Sequence, residues 1–214
     1  IESYAENHFV FMATLNGIVK KTELQAFSRQ RSVGLRALEL EEGDVLVGTA
    51  VTDGNCDVML VSTEGKAVRF AESDVRSMGR TARGVRGIRL PDGHSMIALI
   101  IPQVNGSILT VSENGFGKRT IVPDFPTKSR GTKGVIAMQT SERNGSLVGA
   151  TQVFSGDELM LISNQGTLVR TRVDEVSELG RNTQGVRVIK TKTGEKIVGV
   201  ARVEESDDES IHEK

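Results

Sequence analysis

Gly79-Arg80-Thr81-Ala82-Arg83-Gly84-Val85-Arg86 is the stretch from which the fold can be read. It is the clearest of four copies. Gly180-Arg181-Asn182-Thr183-Gln184-Gly185-Val186-Arg187 is the second clear copy. Ser129-Arg130-Gly131-Thr132-Lys133-Gly134-Val135 is looser, and Arg31-Ser32-Val33-Gly34-Leu35-Arg36 is the weakest. The glycines Gly34, Gly84, Gly134 and Gly185 lie 50, 50 and 51 residues apart. A fixed period near that length means stacked units rather than one irregular fold. Most copies set Arg or Lys beside small, flexible residues. Such a segment can bring backbone N–H groups and positive charge up to a phosphate chain.

A second landmark keeps step with the first. Asn16-Gly17, Glu64-Gly65, Asn114-Gly115 and Gln165-Gly166 each separate two apolar runs, and their glycines are 48, 50 and 51 apart. Such dipeptides predict hairpins, because both turn residues tolerate positive φ. The predicted strands are 8–15 with 18–21, 57–63 with 66–70, 107–112 with 117–122, and 158–163 with 167–173. A polar connection follows each hairpin. A second hairpin is then expected from 35–40 with 45–51, 84–90 with 95–101, 135–140 with 146–153, and 186–191 with 197–202. Four strands per repeat make a propeller-type blade, and blades must stack, since one such sheet cannot bury both faces. The fold class is therefore all-β, a propeller-like array of four-stranded blades at about 8–53, 56–103, 106–154 and 157–203. Residues 1–7 read as the end of a preceding blade, and the chain as part of a longer protein. Two tandem β-sandwiches are the alternative, disfavoured by the single-blade period.

The composition limits the class further. In 214 residues there are 23 Gly, only 4 Pro and no Trp, which fits short strands and tight turns. No apolar run approaches the roughly 18 residues needed to span a bilayer, so no membrane partner is expected. No stretch has the charged and apolar regions of a signal peptide. The one cysteine, Cys56, cannot form an internal disulfide. Both fit a cytoplasmic protein. The net charge of −1 hides an asymmetry. Residues 204–214 form an acidic tail with six carboxylates and one lysine. Without it the body has 26 basic and 22 acidic side chains.

The basic residues recur in register. On the return strand of the first hairpin they are Lys20 and Lys21, Arg69, Lys118 and Arg119, and Arg170 and Arg172. In the connection they are Arg29 and Arg31, then Arg76, Arg80 and Arg83, then Lys128, Arg130 and Lys133, then Arg181. After the marker glycine come Arg36, Arg86 and Arg89, Arg187 and Lys190. In a closed or nearly closed ring, equivalent positions share a rim, so scattered charges become a positive band suited to a polymer of evenly spaced charge. Aromatics are few and not repeated, which disfavours base stacking on single strands. No helix reads as a major-groove reader. The expected partner is double-stranded DNA, held by its backbone and bent, with weak sequence preference.

The repeats also resemble a known family. FMATLNGIVKKTEL (11–24), EGKAVRF (64–70), VRSMGRTARGVRGIRL (75–90), NGFGKRT (114–120), FPTKSRGTKGV (125–135) and GTLVRTRVDEVSELGRNTQGV (166–186) are similar to blades of the C-terminal domain of the DNA gyrase A protein, part of a type IIA topoisomerase. The resemblance implies a β-pinwheel of five or six blades with strands exchanged between neighbours. It implies an outer edge that wraps DNA with positive writhe, so that the ATP-driven holoenzyme introduces negative supercoils. The implied partners are duplex DNA, the N-terminal region of the gyrase A protein and the gyrase B protein. The implied place is the bacterial cytoplasm, on the nucleoid. ATP and Mg belong to the holoenzyme, and no cofactor is expected in this chain. The related domain of topoisomerase IV is the alternative within the family, and a propeller used as a protein-interaction scaffold is the alternative outside it. Two departures stand out. Four repeats fall short of five or six, so one or two N-terminal blades are expected to precede them. The family's Q-R-R-G-G-K-G box has no full match; Arg130-Gly131-Thr132-Lys133-Gly134 is its nearest relic.

Other motifs carry less. Gly115-Phe116-Gly117-Lys118-Arg119 lacks the G-x4-G-K-[ST] of a phosphate loop. His8, His94 and His212 are too scattered to suggest a metal cluster. Cys56 has no evident activating base nearby, and Tyr4 does not match the family's DNA-cleaving tyrosine. No catalytic or metal residue is expected, and the chain is not read as an enzyme by itself. The acidic tail reads as a solubilising end, or as a competitor with DNA for the basic band.

Overall fold

A computed structural model describes residues 4–29 and 32–204. Each repeat opens with an antiparallel hairpin: β1 (Phe9–Thr14) with β2 (Ile18–Glu23), β4 (Asp57–Ser62) with β5 (Lys66–Ala71), β8 (Ser107–Ser112) with β9 (Phe116–Ile121), and β12 (Glu158–Ser163) with β13 (Leu168–Arg172). At the turns only the glycine is left-handed. Gly17 has φ 77° and Gly115 φ 79°, whereas Asn16 and Asn114 do not have positive φ. The Gly17 N–H donates to the Thr14 carbonyl at 2.9 Å, and Gly65, Gly115 and Gly166 repeat the bond. This is a tight turn closed by one left-handed glycine, not the mirror-image turn with two positive φ angles that the dipeptides predict.

A single 3-10 turn follows each hairpin: Leu24–Phe27, Glu72–Asp74, Val122–Asp124 and Val173–Glu175. Each sheet is completed on its other side by the last strand of its own repeat. β3 (Leu46–Thr52) pairs with β1, β7 (Met96–Ile100) with β4, β11 (Leu147–Val153) with β8, and β15 (Ile197–Val203) with β12.

The expected second hairpin does not form. β6 (Val85–Arg86) pairs with β2 of the preceding repeat, in the register Val19↔Val85. β10 (Val135–Ile136) pairs with β5, and β14 (Val186–Arg187) with β9. The two arms predicted to meet thus enter different sheets, as the family resemblance implies. Three sheets have four strands and the fourth, β13-β12-β15, has three among the described residues. Residues 35–40, predicted as a strand, are irregular.

The marker glycines explain themselves here. Gly84 has φ 106°, and a Cβ on it would lie 2.5 Å from the Val19 carbonyl oxygen. Gly134 and Gly185 meet the carbonyls of Ala67 and Gly117 in the same way. A side chain would fail twice, by backbone conformation and by contact with the sheet being joined.

The chain forms two compact units. One comprises residues up to Pro102 with Pro123–Ala137; the other comprises Gln103–Val122 with the described residues from Met138 onward. The connection of the third repeat belongs to the first unit because its exchanged strand does. The first unit is built around Phe11, Val19, Leu60, Phe70, Ile88 and Met96, all at most 1% exposed. The second is built around Leu109, Val111, Leu159, Leu161, Val173 and Ile197. Burying each such side chain contributes roughly 1.5–3 kcal/mol.

Candidate nucleic-acid interface

The register-repeated cations fall into three groups. The first is inside the fold. Lys20 and Lys118 are wholly buried, and Lys21 is 6% exposed. Lys20 Nζ donates to the Ala37 carbonyl at 2.7 Å and to that of Arg80. Lys118 Nζ donates to the carbonyls of Gly180 and Arg181 at 2.6 and 2.5 Å. Burial pulls the Lys20 ammonium below its ordinary value of 10.5, and the Arg80 charge acts in the same direction. These three lysines hold neighbouring segments together and do not present charge to solvent, so they are set apart from a surface interface.

The second group is half-buried and mostly engaged. Arg69 bonds Asp57 through Nε at 2.7 Å and the Phe125 carbonyl through Nη1 at 3.1 Å. Arg119 bonds the Val176 carbonyl at 2.8 Å and reaches Asp174 at 3.3 Å. With Lys21, which donates to the Glu72 carbonyl at 3.3 Å, they tie the return strands of the first three repeats to the 3-10 region of the repeat that follows each. Arg130 donates to the carbonyls of Asp74 and Arg86 at 2.9 and 3.1 Å. Arg80 makes the equivalent long contact to the Arg36 carbonyl at 3.5 Å. Arg181 is also half-buried.

The third group is exposed. In the first unit it comprises Arg29, Arg36, Arg76, Arg83, Arg86, Arg89, Lys128 and Lys133; in the second, Arg170, Arg172, Arg187 and Lys190. Arg83 lies 3.5 and 3.7 Å from Glu39 and Glu41, and Arg170 pairs with Glu158. Such exposed pairs are weak and leave the cation available. Arg36, Arg86 and Arg187 take the same place after their marker glycines. The tethering of the Arg36 and Arg86 carbonyls by Arg80 and Arg130 fixes the backbone from which these side chains extend. Arg31 lies outside the described residues, as does the acidic tail beyond Glu204.

Sequence reasoning missed two charged residues. Glu72 is wholly buried where the other repeats place Leu24, Val122 and Val173. Its carboxylate accepts from Thr52 Oγ1 at 2.6 Å and Gly54 N at 3.1 Å, with Lys21 Nζ at 3.8 Å. Arg143 lies in the turn of the third repeat that is longer than its counterparts, so no periodic pattern points to it. Among the described residues, Asp53, Cys56 and Glu72 are the one group of three metal-type side chains. Cys56 Sγ donates to Glu72 at 2.9 Å, and burial, this bond and the nearby carboxylates push the thiol from 9.0 up to about 12. A protonated thiol is a poor metal ligand and a poor nucleophile. No helix among the described residues is long and apolar enough to cross a membrane.

Four small antiparallel sheets joined by exchanged strands define a β-pinwheel, the strand-exchanged form of the β-propeller. The family model for the DNA gyrase C-terminal domain, beta-propeller, matches residues 8–53, 57–103, 106–153 and 157–204. The chain belongs to this family. The DNA gyrase A protein of Pseudomonas aeruginosa is 60% identical over 208 residues, covering 96% of this chain and 22% of that protein. Its Escherichia coli counterpart is 54% identical over 209 residues, covering 98% of this chain and 24% of that protein. The chain thus spans about a quarter of the length of these relatives. Among solved structures, a DNA gyrase A C-terminal domain aligns with a TM-score of 0.82 at 26% identity, over 94% of this chain and 68% of the other. A topoisomerase IV C-terminal domain aligns with 0.89 at 26% identity, over 95% and 64%.

Proposed function

We propose that the chain binds duplex DNA along its exposed cations, largely without regard to sequence, and bends or wraps it. The observation that carries this reading is the equivalence of Arg36, Arg86 and Arg187, all exposed after the marker glycine of their repeat. Arg89 and Lys190 repeat three residues further along, also exposed. Phosphate contacts from such side chains position a duplex and carry no sequence code. Smooth bending of 20–30 base pairs costs on the order of 1–6 kcal/mol, so many modest contacts are required to offset it.

In the larger protein this activity would be the DNA-wrapping part of a gyrase A protein. It would work with the rest of that polypeptide and with the gyrase B protein in the bacterial cytoplasm, where ATP-driven supercoiling uses the wrap. The high identity to gyrase A proteins supports this reading over the topoisomerase IV counterpart.

The test is binding to a duplex of about 40 base pairs across a range of salt, with fluorescence transfer between the duplex ends. Expected is a steep fall of affinity with salt and a shortened end-to-end distance. Each phosphate contact contributes about 0.9 to the slope of log K against log salt. The double variant R86A/R89A should flatten that slope by up to about twice this amount. Weak, salt-indifferent binding would overturn the reading in favour of a protein-interaction scaffold.

A further inference from the structure

The second unit contains two guanidinium groups on one aromatic ring. The Arg143 guanidinium carbon lies 5.0 Å from the centroid of Phe116, and that of Arg187 lies 4.9 Å from it. The ring is 1% exposed, while both arginines are exposed. We propose that Phe116, Arg143 and Arg187 form a clamp for a DNA phosphate. The inference rests on the reading that exposed cations of this chain take duplex DNA, and it names where an extra contact lies.

Three elements bring the residues together. Phe116 begins β9. Arg187, on the exchanged strand β14, is its cross-strand partner. Arg143 comes from the turn before β11, and this turn is held from several sides. Asn114 Nδ2 donates to the carbonyls of Glu142 and Arg143 at 3.3 and 3.2 Å. The side chain of Asn144, wholly buried, donates to the Gln139 carbonyl at 2.7 Å and accepts from the Ser141 N–H at 2.7 Å. The Gly145 N–H closes the turn on the Ser141 carbonyl at 2.7 Å. The backbone under both cations is therefore built, not loose.

Like charges sharing one ring repel each other. The ring's negative face offsets part of that repulsion. An anion between the guanidiniums would offset the rest. A stacked guanidinium keeps its N–H edge free for bidentate bonding to phosphate, which an ammonium cannot imitate. Neither arginine pairs with a carboxylate among the described residues. Packing over the ring also restricts both side chains before any ligand arrives, reducing the ordering cost of binding. Because the ring is buried, its part is to position the arginines and not to stack on bases.

Arg187 is in register with Arg36 and Arg86 and so lies on the proposed interface. Arg143 is out of register and has no counterpart. The place where they meet is thus a local strong point on an otherwise regular row of contacts.

The experiment uses the full 214-residue chain and the 40-base-pair duplex, comparing R143A, R187A, the double variant, R187K and F116L. Thermal melting confirms that each variant is folded; Ile18 occupies the Phe116 position in the first repeat, so an aliphatic residue is compatible with the strand. Expected is a slope reduced by about 0.9 for each arginine removed. R187K should bind more weakly than wild type despite its retained charge. F116L should lower affinity and abolish the coupling between the two arginines in a double-mutant cycle. If wild type binds and R86A/R89A weakens binding, but R143A/R187A leaves affinity and slope unchanged, the clamp is wrong and the DNA reading stands. If wild type fails to bind DNA, both fall.

Discussion

Lys118 Nζ, buried on the return strand of the third repeat, donates to the Gly180 carbonyl at 2.6 Å, in the connection of the fourth. It is also bonded to the Arg181 carbonyl. Lys20 does the same for the Arg80 carbonyl. The two clearest copies of the basic motif are therefore the two whose backbone is held by a buried lysine. Val68 stands at the equivalent place before the looser copy, where Arg130 makes its own bonds to Asp74 and Arg86. Replacing Lys118 by Met should leave the Arg181 carbonyl without this donor, at on the order of 1–3 kcal/mol, while the Gly180 carbonyl keeps its bond from Thr183 Oγ1 at 3.1 Å. Chemical denaturation should show that loss, and hydrogen exchange should show reduced protection in residues 180–184. Unchanged protection there would mean the loop is held by its other contacts.

The Lys21–Glu72 pair should behave asymmetrically. Removing one partner, as in K21M or E72A, leaves the other buried without its opposite charge, a loss of up to about 3–5 kcal/mol. The double variant K21M/E72L places an aliphatic group where Leu24, Val122 and Val173 stand in the other repeats. It should recover part of the loss, because burying an ion pair costs about as much as the pair returns, while Thr52 Oγ1 and the Gly54 N–H lose their acceptor. Equilibrium unfolding of the three variants measures the difference, and additive losses would contradict it.

Cys56 should be slow to react. With its thiol held at about 12, little thiolate exists at pH 8. Labelling by an aromatic disulfide should be far slower in the native chain than in denaturant. E72Q should speed native labelling, since it removes both a carboxylate acceptor and a negative charge.

Glu195 predicts an acid limb. Its carboxylate accepts from Ser163 Oγ at 2.6 Å and from the Lys192 N–H at 2.9 Å. Bonding to Ser163 above all, then to Thr167 and Lys192, lowers it from 4.5 to about 2. A carboxylate depressed in the folded state stabilises the fold fully above its unfolded value. That contribution is lost as pH falls from about 4.5 to 2. The stability gap between wild type and E195Q should be constant near neutrality and shrink through that window. A gap that widens on acidification would reverse the sign.

Much of this fold is local chemistry, and that part is legible in sequence. A left-handed glycine between two apolar runs is a property of a few adjacent residues, so Gly17, Gly65, Gly115 and Gly166 mark four hairpins. The exchanged strands are not legible in this way. Val85 and Arg86 would suit a hairpin with β7 as well as they suit β2, and only the packed sheet decides. The cations are legible as a row but not in their fates. Lys20 and Lys21 are adjacent on a strand and should face opposite ways, yet both are buried, because the following repeat covers the solvent side. Arg143 was beyond a periodic argument, since its turn is the irregular one.

The exchanged strand also limits how such an array can change in length. Each seam is made of the same two parts, a return-strand edge that accepts and a glycine-led dipeptide that donates, and β2–β6, β5–β10 and β9–β14 are three instances of it. A whole period inserted or removed leaves matched halves on either side of the cut, wherever the cut falls. A cut that takes an acceptor edge or a donor dipeptide without its complement leaves the other unmatched, whereas a longer turn, such as the one that carries Arg143, leaves both in place. The seam therefore counts whole repeats: their number can vary so long as each brings one acceptor edge and one donor dipeptide.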